Sequence, residues 1–401
     1  MRFSYPVWLA AGAVLALSAT AAAQQDGDST DDPDLTGPRV HLNLRSVGYY
    51  SDNFYNQPSD QASTLGALIK PSIGVLEESA KLQIQAALDG EYGTFDLPGS
   101  EDDYLDGSAR FKLVSQGTAR NQIRIGADFK HGHDAFGVNR TEDATARDDD
   151  LDRWNQANGS LHYKYGAAGA RLNVELGLRA LDKHYITNRT GTQVLNYQAR
   201  TGEYTLFYNY SPKTSVLVDF SRTNYGFDRP FGVVDARAGD LYRARAGVRW
   251  QATGKTSGDV RVGWRERTFD NGAEDIEGAD WEATVDWSPV PRTQFSFTTA
   301  RSEQESYTAD ARVIGIDSYT VNWKYNLTAR SRTTVVLERL NADFDGSSRD
   351  DHITTAGVGL EHLLRRNFGV VANLNTTSRS STVYYRDYDR LNAFIGIRLG
   401  R

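Results

Sequence analysis

The residues whose type and spacing could do chemistry are arginines and carboxylates at alternate positions. Arg243, Arg245 and Arg249 share the parity of one stretch, and Arg261, Arg265 and Arg267 share the parity of the next. Arg171 and Arg179 add a third set. Residues an even number apart lie on one face of a β-strand. These side chains would then form a basic arc that attracts anionic solute. Closure of the last strand on the first would bring Arg390 and Arg398 near Arg39 and Arg45. Asp219, Asp259, Glu282, Asp286 and Glu338 lie on nearby stretches. We expect them to offset the arginines in a stiffening ion-pair ladder, because a count of arginines does not fix the net potential.

Other chemistry is sparse. His131 and His133 share a strand face, but no third ligand is implied beside them, so no metal site is expected. The chain has no Cys, which excludes thiolate zinc, a catalytic thiol and disulfides. There is no G-x-S-x-G elbow and no P-loop. We expect no catalytic residue, no cofactor and no enzyme activity. The acidic runs Ser100-Glu101-Asp102-Asp103 and Asp148-Asp149-Asp150 lack the spacing of a calcium loop and read as solvated. With 45 Lys and Arg against 52 Asp and Glu, the net charge of −7 gives no support to a nucleic-acid partner.

The elements that must carry these side chains are strands. Only 39% of the 401 residues are hydrophobic, which excludes a bundle of spanning helices. The 36 Gly and 21 Tyr suit strands and turns. From Arg39 onward, apolar and polar residues alternate. Leu172, Val174, Leu176 and Leu178 oppose Asn173, Glu175, Gly177 and Arg179. Tyr242, Ala244, Ala246, Val248 and Trp250 oppose the arginines of their stretch, and Leu391, Ala393, Ile395, Ile397 and Leu399 repeat the pattern at the end. Eighteen such runs are legible, two of them beginning near Asp280 and Ser318. Short turns alternate with long polar loops such as 131–152 and 301–317. The central apolar positions carry no charge, as a lipid-facing wall requires, because one Arg at the midplane costs about 2–4 kcal/mol.

These features predict an all-β fold: a transmembrane antiparallel up-and-down β-barrel of about 18 strands. Its short turns would be periplasmic and its long loops extracellular. A barrel of that size leaves an aqueous lumen. Tyr165, Tyr210, Trp250, Trp287 and Tyr325 precede short turns and predict one aromatic girdle. Tyr185, Tyr225, Tyr242, Trp281 and Tyr319 predict the other.

Residues 1–23 read as a signal peptide: Arg2, an apolar run from Val7 to Leu17, and Ala21-Ala22-Ala23 before the cut. Residues 24–38 read as a disordered periplasmic leader, and 39–401 as the barrel. The expected place is the Gram-negative cell outer membrane, with the lipid bilayer and the barrel assembly machinery as partners and both barrel termini periplasmic.

Strand one runs into Tyr50-Ser51-Asp52-Asn53, and turns of related form recur at Tyr210-Ser211-Pro212-Lys213-Thr214 and Trp287-Ser288-Pro289-Val290-Pro291-Arg292-Thr293. In these the chain resembles the outer-membrane beta-barrel porin family associated with exopolysaccharide biosynthesis and secretion operons, from about Arg39 to Arg401. The resemblance implies an eighteen-stranded channel that exports an exopolysaccharide, with a periplasmic polysaccharide-export protein and a co-polymerase as partners. It assigns no residue a role. Two other readings stand beside it. One is a diffusion porin for small anionic or sugar solutes. The other is a structural or adhesive barrel acting through its loops. The terminal Leu399-Gly400-Arg401 departs from the aromatic end by which assembly machinery recognises barrels.

Overall fold

Strict alternation leaves each run with one oily and one wet face, and the chain satisfies both by closing a sheet on itself. The computed structural model describes residues 39–96, 103–142, 151–167, 169–229 and 237–400. The signal peptide and leader, Asp148-Asp149-Asp150 and Ser100-Glu101-Asp102 lie outside the described residues.

The first half of the sheet is β1 (Arg39–Ser51), β2 (Thr64–Glu78), β3 (Leu82–Phe95), β4 (Tyr104–Gln116), β5 (Asn121–Asp134), β6 (Asp152–Tyr165), β7 (Leu172–Tyr185), β8 (Tyr197–Ser211) and β9 (Thr214–Phe227). The second half is β10 (Gly239–Thr253), β11 (Thr256–Phe269), β12 (Ile276–Val290), β13 (Thr293–Glu305), β14 (Val313–Asn326), β15 (Ser331–Phe344), β16 (Asp350–Arg365), β17 (Phe368–Ser381) and β18 (Tyr388–Gly400). Each strand pairs antiparallel with its chain neighbours, and β18 pairs with β1 from Asn43↔Gly400 to Ser51↔Asn392. A closed cylinder leaves no sheet edge for another chain to join. The eighteen strands, their antiparallel order and the alternation of short and long connections are as the sequence predicts.

The outward face is apolar. Leu105, Leu178 and Ile395 are 67%, 62% and 73% exposed. Exposed aliphatics in that number would be a liability in water and are what a hydrocarbon surround requires. Trp287, Phe295, Trp323 and Tyr325 form a continuous run of ring contacts across β12, β13 and β14 at the short-turn end. The inward face carries Asn173, Asp219, Arg261, Asn375 and Asn392, all buried.

The strands run further toward the long loops than the alternation suggested. β12 begins at Ile276 rather than near Asp280, and β14 at Val313 rather than near Ser318. The strands have 13 to 16 residues, whereas a spanning strand needs about 9–11. The apolar pattern ends where the wall leaves hydrocarbon, while the backbone ladder continues into the loop region. Closure also corrects one expected cluster. Arg45 does face Arg398 across the seam. Arg39, however, pairs with Leu76 below the end of that ladder, and Arg390 sits at the opposite end, donating to Asn56 at 2.9 Å.

Candidate functional site

At the long-loop end, the segment after β5 turns into the cylinder. Gly137 makes the turn: its φ is +71°, and a Cβ there would stand 2.1 Å from the Tyr55 carbonyl oxygen. Only glycine fits both constraints. The Asn56 amide donates to the carbonyls of Phe136 and Gly137 at 3.3 Å each. The Thr141 hydroxyl donates to the Ala135 carbonyl at 2.9 Å. A single helical turn over Asn139–Glu142 follows. Arg140 holds Asp152 at 2.8 and 2.6 Å, so the segment is also tied to the start of β6.

Glu142 then reaches distant strands. Its carboxylate accepts from Arg379 of β17 at 2.6 Å and from Arg349, before β16, at 2.9 Å. Arg386, before β18, stands 3.2 Å away. The Tyr307 hydroxyl, from the loop between β13 and β14, donates at 3.3 Å. Between β5 and β17 the cylinder wall contains β4, β3, β2, β1 and β18. The contact therefore bridges the mouth. Asp351 completes the cluster, accepting from Arg349 at 2.8 Å and Arg379 at 2.5 Å. The Arg349 guanidinium lies 4.0 Å from the centre of the Phe344 ring.

Burial works against the Arg349 charge, but Tyr307, Asp351 and Glu142 outweigh it and hold its pKa up. Burial, aided by Glu142, pushes the Tyr307 phenol up. Both groups thus keep their protons and act as donors. Tyr307 also packs on two apolar clusters. One is Ala311, Ile314, Ile316, Leu340, Ala342, Phe344 and Ile353; the other is Trp154, Tyr185 and Leu195.

Below the mouth, the arginine arc is present and paired. Arg245 binds Asp219 at 2.9 Å and Glu282 at 3.0 Å. Arg261 binds Asp259 at 2.8 Å and Asp219 at 3.2 Å, and Arg249 binds Asp259 at 2.7 Å. Arg243 lies 3.6 Å from Asp280. Arg179 binds Glu203 at 3.1 Å. Arg265 reaches Glu303, and Arg267 reaches Glu303 and Glu305. Asp219, Asp259 and Glu282 thus take the offsetting part expected of them. Among the described residues Asp286 and Glu338 make no ion pair, and Asp280, Glu303 and Glu305 serve instead. Arg171 is not on the wall. β7 starts at Leu172, which leaves Arg171 exposed in the preceding turn.

His131 and His133 take separate partners, Asn155 at 2.8 Å and Asp106 at 3.0 Å. Tyr165, Tyr210, Trp250, Trp287 and Tyr325 belong to the outward set of their strands, and Tyr165, Tyr210 and Trp287 are exposed. Tyr242 and Tyr319 are exposed at the other end. Tyr185 and Tyr225 face inward instead: Tyr185 donates to Asp134 at 2.9 Å, and Tyr225 lies under Arg267. The sequence reading missed Glu142, Tyr307, Arg349 and Arg379. Arg379 was within reach, since it shares parity with Asn373, Asn375 and Thr377; nothing local distinguishes Glu142 from the acidic residues after it.

Comparison with solved structures finds similar barrels at low identity. The outer membrane protein opdK from Pseudomonas aeruginosa is 13% identical over 90% of this chain and 99% of that one, with a TM-score of 0.46. A BenF-like porin from Pseudomonas fluorescens Pf-5 is 12% identical over 92% of this chain and 100% of that one, with a TM-score of 0.47. OccAB4 from Acinetobacter baumannii is 12% identical over 92% of this chain and 100% of that one, with a TM-score of 0.45. No curated protein matches. The family described as Putative beta-barrel porin 2 matches residues 40–401, the whole span of the cylinder. An eighteen-stranded closed sheet with an oily exterior and a charged, loop-bridged interior is thus an outer-membrane barrel, and the chain belongs to the Putative beta-barrel porin 2 family.

Proposed function

We propose that the chain is a channel for small hydrophilic solutes across the Gram-negative outer membrane. The observation that carries this reading is the Glu142 bridge. A segment fixed to Arg349 and Arg379 on the far side of the cylinder divides the mouth, so whatever passes must be small. A polymer would need the bridge released first. For that reason we place exopolysaccharide export, with its periplasmic export protein and co-polymerase, behind small-solute diffusion. The Arg–carboxylate ladder of β9–β12 supports a stiff wall with weak net selectivity rather than a strongly basic pore. We further place the short turns, the barrel termini and the leader at residues 24–38 on the periplasmic side, after removal of residues 1–23, with insertion by the barrel assembly machinery.

The test is purified barrel in a planar bilayer. We expect steady small-ion conductance that rises in Glu142→Gln as the bridge loosens. A silent bilayer, together with loss of surface polysaccharide on gene deletion, would instead favour export. A silent barrel whose loops bind other cells would favour adhesion.

A further inference from the structure

The wall of the cylinder is split between β12 and β13. The β12–β13 ladder stops at Glu282↔Ala300. On either side the pairing runs on, β11 with β12 to Arg267↔Ile276 and β13 with β14 to Glu305↔Val313. Beyond Ala300, the facing edges of β12 and β13 are not paired with each other.

Side-chain parity shows where the end of β13 lies. Arg265 and Arg267 are in the inward set of β11, opposite to the exposed Val262 and Trp264. Glu303 and Glu305 are in the outward set of β13, with the exposed Phe297. Yet Arg265 Nη1 is 3.0 Å from Glu303 Oε1, and Arg267 Nη2 is 3.6 Å from Glu305 Oε1. Gly315, which shares parity with the exposed Tyr319, has Arg265 Nη2 3.6 Å from where its Cβ would be. The outward set of one wall touches the inward set of the next. The β13–β14 end is therefore tucked inside the β11–β12 wall, and Tyr307 at its tip reaches Glu142 at the mouth.

The pocket it fills is under-bonded. The Arg265 and Arg267 side chains are 5% and 0% exposed, yet Nε of both and Nη1 of Arg267 make no hydrogen bond. Arg267 donates from Nη2 to the Arg237 carbonyl at 2.6 Å and lies 3.9 Å from the Tyr225 ring centre. Buried guanidinium forks with unused donors beside an aromatic face are the chemistry that receives a carboxylate or phosphate.

We propose that the long-loop end of β13 is a displaceable plug, whose Glu303 and Glu305 occupy an arginine pocket that a small oxyanion solute takes over. This deepens the channel reading and rests on it for the passage of solute. When the solute binds, β12 and β13 pair beyond Ala300. The existing register puts Asp280 opposite Ser302, Gly278 opposite Gln304 and Ile276 opposite Ser306. The hairpin end rejoins the wall, the mouth widens, and Arg265 and Arg267 face the lumen.

The chain has no cysteine, so Gly278→Cys with Gln304→Cys forms a disulfide only when the two edges pair. In the reconstituted full-length barrel, we expect little oxidative crosslinking in plain buffer and a severalfold rise with succinate or inorganic phosphate. Glucose should give no rise. Adding Glu303→Gln and Glu305→Gln should give strong crosslinking without anion. Ile276→Cys with Ser306→Cys reads the same register should the first pair fail to fold, and heat-modifiable migration checks folding of each. A yield unchanged by both anions, or raised equally by glucose, overturns the plug. Ionic current without anion-dependent crosslinking also counts against the plug alone, while anion-dependent crosslinking in a barrel that carries no current counts against the channel alone.

Discussion

Glu142 and Arg379 concentrate the energetics of the mouth. Their side chains are 5% and 4% exposed, and each has two or more partners. Removing one member of a buried ion pair leaves the other charged and unsolvated, at about 3–5 kcal/mol. Arg379→Ala should therefore free the 135–142 segment without unfolding the cylinder. Proteolysis of the loops should accelerate while heat-modifiable migration stays as in the wild type; loss of both together would mean that the cluster holds the barrel itself. Residue facing was legible wherever parity was followed. Trp287 and Tyr325 lie outward as read, because their neighbours of the same parity are apolar. Tyr185 was misplaced because its ring suggested a girdle, although it shares parity with Asn173 and Arg179, which face inward. The Glu142 cluster was not legible at all. It joins four separate long-loop and strand-end segments, and no local pattern encodes a meeting across the mouth.

The strands obey two solvents at once, and β7 shows the contrast. Leu178 is 62% exposed on the outer face, and Arg179 beside it binds Glu203 on the inner one. Leu178→Arg should cost about 2–4 kcal/mol if that position sits at the bilayer midplane. Gly159→Ser, on the outward face of the neighbouring β6 where a Cβ meets nothing within 4 Å, should stay within about 0.5 kcal/mol. Urea titration of refolding into lipid vesicles would measure both, and equal costs would contradict the assignment of faces. Strand number and order could be read because period-2 alternation and turn chemistry repeat. The far ends could not, since Ile276–Ala279 and Glu303–Glu305 are held by backbone pairing and buried charge, which leave no hydrophobic rhythm. For the same reason the split between β12 and β13 is invisible in the chain: Arg301-Ser302-Glu303-Gln304-Glu305 is uniformly polar and offers no alternation to break.

At the scale of the molecule, the cylinder is sealed by a single ladder between the first and last strands. Deleting residues 388–400 should expose the edges of β1 and β17 and abolish the folded, heat-modifiable form. A truncated chain that still migrated as folded would show that a smaller ring can close. All other strand pairs join neighbours in sequence, so each hairpin can form by itself at small loop-closure cost. Among the described strand pairs, the ladder from Asn43↔Gly400 to Ser51↔Asn392 alone links opposite ends of the chain. Folding speed falls as contacts span more of the sequence, so this one seam should govern how long the protein remains an open sheet with reactive edges. A ring has no natural first strand: joining residue 400 to residue 39 by a short linker and opening the chain between Gly254 and Lys255 should produce the same cylinder, with its slow step moved to β10 and β11.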